Sequence, residues 1–270
     1  MTLTHGSLFT GIGGADLAME AAGFRTEWQV EIDEYCTAVL AKHWPTVVRI
    51  RDVHDAGSAS LARVDAITAG FPCQDVSLAG KRAGLAGDRS GLWFEAARVI
   101  RELRPRIVIV ENVAGLRSQG LSTVLADLAA LGFDAWWTSL RASDVGAPHR
   151  RERVFVVAHN ARQRLARPEA GEECAGVSAA LASREDVANT DGTAKSSMGG
   201  GATGIPAGLD RPWPAGPGET QAAWEPARTN TRVQNRQQRL KALGNAIVPA
   251  QFYPIACVAR ALLNEGSEWK

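Results

Sequence analysis

Cysteine is scarce in this sequence: Cys36, Cys73, Cys174 and Cys257 are the only four, and no two form a CxxC pair. That spacing argues against a zinc site and a disulfide framework, and for a reducing, intracellular setting with no metal. No run of eighteen apolar residues occurs, so no membrane span is expected. The start MTLTHGSLFTGIGG lacks the basic and apolar blocks of a secretory signal. Net charge is also nearly absent, at +1 from 30 basic and 29 acidic residues. Its distribution is uneven. Residues 1–79 hold five basic residues against ten acidic ones, and basic clusters follow at Lys81/Arg82/Arg89, at Arg150/Arg151/Arg153 and from Arg228 to Lys241. A basic side suits a polyanion, although charge alone is equally compatible with ordinary solvated helix faces.

What is present is alternation. The length of 270 residues and a hydrophobic share of 45% fit one globular domain, or one large and one small. Strand-like apolar runs at 7–9, 26–30, 64–69, 106–110 and 154–158 alternate with helix-like runs at 15–22, 34–43, 92–103 and 121–131. This predicts an α/β fold with a parallel sheet covered by helices on both faces. Residues 160–235 break the pattern with ten glycines and six prolines and read as a small, loop-rich subdomain. Regularity returns in the apolar run 250–263, a predicted C-terminal helix.

Ligands of open α/β sheets bind beyond the carboxyl ends of the strands, and the unusual residues here fall at such ends. Phe9-Thr10-Gly11-Ile12-Gly13-Gly14 is a glycine-rich strand-to-helix loop that lets backbone approach a ligand. Asp16 stands where the dinucleotide fingerprint GxGxxG needs its third glycine. Taken alone, the loop could be a plain turn. Glu31 and Asp33 end the next strand, where an acid can accept from ribose hydroxyls; Asp52 is a further candidate, and helix capping is the alternative for these acids. Cys73 follows Pro72 after the apolar run 64–70, and Glu111 closes another strand. A thiolate there could add to electron-poor carbon, with a buried carboxyl kept protonated nearby, whereas a single buried cysteine is more often inert packing. Arg151 and Arg153 in PHRRERVF could bind a carbonyl oxygen or a phosphate.

Together, FTGIGG, GFPCQ, ENV, PHRRERVF and LGNAIVP resemble, in order, motifs of the DNA (cytosine-5)-methyltransferase family, over residues 5–158 and about 232–263. The resemblance implies a Rossmann-like sheet that binds S-adenosyl-L-methionine, with 1–159 and 236–270 as catalytic domain and 160–235 as a small target-recognition region. It implies cofactor contacts from Phe9, Gly11, Gly13, Gly14, Glu31, Asp52, Leu92, Asn245 and Ala246. It implies catalysis by Cys73 on carbon 6 of a flipped cytosine, with Glu111, Arg151 and Arg153 around the base. Gln74, Ser77, Lys81 and Arg89, in a catalytic loop, and Arg228 and Arg232 would touch DNA.

The implied partner is double-stranded DNA, with a cognate restriction endonuclease beside it. The implied enzyme is a monomer in the cytoplasm of a bacterium or encoded by its virus. A tRNA methyltransferase is the alternative, although no Cys-Phe-Thr signature of such relatives is present. Two departures stand out. His149 replaces the usual glutamine, and the family's ninth motif has no good match. The recognition region is short, with Arg211, Trp213, Trp224, Arg228, Arg232 and Arg236 as candidates for base reading.

Overall fold

The computed structural model describes residues 2–72, 91–160, 220, 223 and 234–265. Cys73, Gln74, Ser77, Lys81 and Arg89, and the recognition candidates Arg211, Trp213, Trp224, Arg228 and Arg232, lie outside these residues.

The chain runs β1 (Leu3–Leu8), α1 (Gly14–Ala21), β2 (Phe24–Val30), α2 (Glu34–His43), β3 (Val48–Ile50), β4 (Ala66–Ala69), α3 (Gly91–Leu103) and β5 (Ile107–Val113). It continues with α4 (Leu116–Gln119), α5 (Leu121–Ala130), β6 (Phe133–Arg141), β7 (Glu152–Asn160), α6 (Arg236–Asn245) and α7 (Pro249–Glu265). One seven-stranded sheet has the order β3-β2-β1-β4-β5-β7-β6. The first five strands are mutually parallel, as the alternation predicts.

The purely parallel expectation fails at the far edge. There β7 runs antiparallel to both β5 and β6. The reason is local: β6 and β7 are joined without a crossover helix, which only antiparallel neighbours allow. Strand β6 was not foreseen, because FDAWWTSLR lies at the sheet edge and only its end positions Phe133 and Leu140 are buried.

Strand β5 shows how two faces share one segment. Val108 and Val110 join the core formed with α3 and α5 (Trp93, Val99, Leu103, Val124, Leu128). Ile107 and Ile109 face the opposite core, built on α1 and α7 (Ala18, Met19, Phe252, Ile255, Ala259). Successive strand side chains point to opposite faces, so a run of four apolar residues serves both layers. Each fully buried side chain of this kind contributes about 1.5–3 kcal/mol.

The C-terminal helix α7 is fastened by polar contacts as well. Buried Gln251 donates to the carbonyls of Leu140 (2.7 Å) and Arg151 (2.9 Å), which ties α7 to β6 and to the entry of β7. Helix α6 was not anticipated. Of its residues only Ala242 is buried, so it carries no apolar stripe to read.

Candidate active site

The carboxyl ends of β1, β4 and β5 converge on one cavity. It is lined by Ser7, Leu8, Phe9, Thr10, Ala15, Thr68, Ala69, Gly70, Glu111, Ile247 and Phe252. The glycine-rich loop forms one wall and Glu111 another, so two stretches a hundred residues apart share one space.

The loop after β1 adopts conformations that ordinary side chains avoid. Phe9 has φ 57° and Gly11 φ 61°, both left-handed. For phenylalanine this is a strained state that the surroundings must enforce. Gly13 (φ 87°) caps α1, and a Cβ there would lie 2.5 Å from the Trp44 ring. Gly14 is required for a different reason: a Cβ on it would meet the carbonyl oxygen of Ile247 at 2.3 Å. The LGNAIVP segment therefore packs directly on the start of α1, and only glycine permits that approach.

Glu31 sits just past β2 and is gripped by backbone. Its two oxygens accept from Gly11 N–H and Asp33 N–H, each at 2.7 Å. Burial raises its pKa, and these two donors oppose the rise. Asp33 itself caps α2 by accepting from Cys36 N–H at 3.1 Å, and Lys241 of α6 pairs with it at 2.8 Å. Asp52 caps a short 3-10 turn, Val53–Asp55, and holds His54 Nδ1 at 2.6 Å. Asp33 and Asp52 thus both cap helical turns in this structure. Sequence reading passed over Ile32. It is 67% exposed directly beside Glu31, and an exposed branched apolar side chain at a strand end is the signal that could have found it.

On the other wall, Glu111 is 8% exposed, and its Oε1 lies 2.8 Å from Arg153 Nε. Antiparallel pairing of β5 with β7 sets this contact, with Glu111 opposite Phe155 and Val113 opposite Arg153. Burial pushes the Glu111 pKa up, while the guanidinium groups of Arg153 and Arg151 pull it back. The next residue, Asn112, donates from Nδ2 to the Phe71 carbonyl at 3.2 Å. Through that bond β5 fixes the chain immediately before Pro72.

Arg151 faces a different partner. Its Nη1 and Nη2 donate to the carbonyls of Gly244 and Ala246, both at 2.7 Å. A guanidinium here satisfies carbonyls left open at the end of α6 and favours the helix C-terminus electrostatically. It thereby holds LGNAIVP against the loop. Of the remaining expected cofactor residues, Leu92 opens α3 and packs on the core, while Asn245 and Ala246 sit in the α6–α7 junction that Arg151 secures.

Comparison with known proteins bears directly on this arrangement. A family profile described as C-5 cytosine-specific DNA methylase matches residues 3–193. The chain is 32% identical over 184 residues to the Type II methyltransferase M.AquIA of Picosynechococcus sp., covering 60% of this chain and 74% of the relative. It is 32% identical over 154 residues to M.DsaV of Dactylococcopsis salina, covering 56% and 44% respectively. The match to M.HhaI of Haemophilus parahaemolyticus is also 32% over 154 residues, covering 56% and 47%. The chain thus spans less than half the length of the last two. Among solved structures, a protein described as a DNA modification methyltransferase encoded within an E. coli prophage superposes with a TM-score of 0.52. That likeness has 26% identity and covers 62% of this chain and 49% of the other.

Proposed function

The chain belongs to the C-5 cytosine-specific DNA methylase family. From that premise we propose that it transfers a methyl group from S-adenosylmethionine to carbon 5 of a cytosine in double-stranded DNA, at a short sequence. The observation that carries this reading is the single cavity lined by Phe9, Gly70, Glu111 and Ile247, which joins the glycine-rich loop to a buried acid.

The residues of the first wall fit S-adenosylmethionine. After accepting one N–H on each oxygen, Glu31 keeps a lone pair on each, which suits the two neighbouring hydroxyls of a ribose. Ile32 offers an apolar face for the adenine, and Asp52 an acceptor for its amine. Phe9, Gly11, Gly13 and Gly14 shape the loop, and Leu92, Asn245 and Ala246 are the remaining cofactor contacts in this reading. Bound there, the cofactor supplies an electrophilic methyl group on a sulfonium.

The second wall handles the base. Cys73, two residues beyond Phe71, adds as thiolate to carbon 6 of the cytosine. Glu111, inclined by burial to keep a proton, donates to ring nitrogen 3 and makes carbon 6 more electrophilic. Arg153 holds Glu111 and takes the carbonyl oxygen at position 2. Arg151 positions LGNAIVP behind them. Addition of the thiolate makes carbon 5 nucleophilic. After methylation, the carbon-5 proton passes to water as Cys73 leaves as thiolate, and ring nitrogen 3 returns its proton to Glu111, which restores the ring. None of this is possible inside a base stack, so the cytosine is flipped out.

Residues 1–159 and 236–270 form the catalytic domain in this reading, and 160–235 the recognition region. Gln74 contacts the DNA, Ser77, Lys81 and Arg89 contact phosphates, and Arg228 and Arg232 contact the target. The enzyme works as a monomer in the cytoplasm, and a restriction endonuclease of the same specificity is its implied partner.

The test is methyl transfer from labelled S-adenosylmethionine to duplex DNA and to tRNA, beside Cys73→Ala, with products mapped at base resolution. Label on DNA cytosines in one short motif, lost in Cys73→Ala, is the expected result. Label in tRNA alone transfers the reading to an RNA enzyme. Label in neither refutes it.

A further inference from the structure

Asp16 has no role in the chemistry above, yet it is among the most deeply buried charged groups of the molecule. It occupies the first turn of α1, where the dinucleotide fingerprint has glycine, and its exposure is 0%. A carboxyl in such a place needs partners, because burying an unpaired one is costly. It has them on one oxygen only: Oδ1 accepts from Ser7 Oγ and from Gln29 Nε2, both at 3.0 Å. Oδ2 has no hydrogen-bond partner among the described residues, and burial raises the Asp16 pKa to about 6. Alanine or glycine would fit this turn without that cost.

The hydrogen bonds have a direction. Ser7 has one hydroxyl proton, and it goes to Asp16. In its 2.8 Å contact with Thr10 Oγ1, Ser7 Oγ can therefore only accept, and the Thr10 proton is shared between Ser7 Oγ and the Ser7 and Val30 carbonyls at 3.2 Å. Thr10 lies between the two left-handed residues, Phe9 and Gly11. Its N–H donates to the Val30 carbonyl and its own carbonyl accepts from Gly13 N–H, both at 3.1 Å. The far end of the chain is anchored as well, since Arg49 Nη1 reaches Gln29 Oε1 at 3.4 Å.

We infer that Asp16 is a positioning residue for the glycine-rich loop. Its buried Oδ1 fixes the direction of the chain Thr10–Ser7–Asp16–Gln29, and through Thr10 it holds Phe9 and Gly11 in the conformation that opens the cofactor cavity. Without that acceptor, Ser7 can donate back to Thr10, and the Thr10 proton is left to the Ser7 and Val30 carbonyls, which it already reaches at 3.2 Å. The strained Phe9 then loses one of its restraints and keeps only the backbone bonds of Thr10 and Gly11. The inference rests on the cofactor reading given above.

The test is calorimetric binding of S-adenosylhomocysteine by the full chain, with Asp16→Ala, Asp16→Asn, Ser7→Ala and the Ser7→Ala/Asp16→Ala double variant. Asp16→Ala is expected to weaken binding about tenfold or more, the scale of one lost buried hydrogen-bond link. Asp16→Asn keeps an acceptor oxygen and stays within about threefold of the parent. Ser7→Ala reproduces Asp16→Ala, and the double variant is no worse than the weaker single, as links in series require. KM for S-adenosylmethionine follows the binding change, while kcat at saturating cofactor does not.

A purely structural role would lower Tm and leave binding unchanged, and that result overturns the inference. Should Asp16→Ala fail to fold, Ser7→Ala decides: parental affinity in a folded Ser7→Ala protein overturns it too. Failure of the unmodified chain to bind S-adenosylhomocysteine refutes the cofactor reading itself, and the role of Asp16 with it.

Discussion

Glu31 and Glu111 are both glutamates placed near the carboxyl end of an apolar strand, and burial raises the pKa of both. Their restraints differ in kind. Glu31 is held by two backbone N–H groups, one of them from its own turn. Glu111 is held by a single arginine side chain delivered across an antiparallel strand pair. The first arrangement builds a fixed acceptor whose charge is satisfied by immobile dipoles, which suits binding. The second leaves the proton affinity of the carboxyl to movable cations, Arg153 in direct contact and Arg151 acting through its charge, which suits proton donation. In the proposed reading the two glutamates are thus specialised, one for holding the cofactor and one for reaction.

The sharpest way to break this contrast is to remove the acid from each wall in turn. Glu111→Gln is expected to lower kcat by about 10²- to 10⁴-fold, the range for a lost general acid, with S-adenosylhomocysteine affinity nearly unchanged. Glu31→Gln should do the reverse, weakening that affinity roughly tenfold through poorer acceptance of ribose and backbone donors, with kcat at saturating cofactor preserved. Single-turnover rates and calorimetry on the two variants give the answer. If both variants lose affinity and rate together, the walls are not separate.

Much of the holding wall was legible in the sequence, because backbone geometry leaves a mark on residue type. Glycines at 11 and 13 announce left-handed turns, and the glutamate about twenty residues on announces its partner. The reacting wall was less legible. Nothing in ENV says that Glu111 meets Arg153, since that contact depends on β7 running antiparallel, against the alternation of the preceding strands. Nor does RRERVF say which arginine faces the acid: Arg153 reaches Glu111, and Arg151 reaches the carbonyls of Gly244 and Ala246. Gly14 is a cofactor contact only by the family resemblance. The approach of Ile247, more than two hundred residues away in sequence, is what demands glycine there.

Beneath the holding wall, Asp16 gives a pH signature. Burial raises its pKa from 3.8 to about 6, so the folded state favours the protonated form. The resulting stabilisation is complete below about pH 4 and is lost as pH rises through about 6. An asparagine at 16 stays neutral throughout. The stability of Asp16→Asn relative to the parent should therefore increase by roughly 3 kcal/mol between pH 4 and pH 8, the free-energy equivalent of that shift. Denaturant melts of both proteins across this range would measure it. A flat difference would mean that Asp16 ionises without consequence for folding.

The smallest expected effect lies at the rim. Lys241 of α6 pairs with Asp33 at 2.8 Å, and the pair lowers the Asp33 pKa. The Lys241 side chain is 68% exposed, however, and an exposed ion pair loses most of its attraction to water and to the entropy of holding a long side chain. Asp33 also keeps its own task without the lysine, since it still caps α2 through Cys36 N–H. Lys241→Ala should therefore leave Tm unchanged within experimental error. A clear loss of cofactor affinity in that variant would show that α6 is part of the holding wall, and that Arg151 alone does not keep LGNAIVP in place.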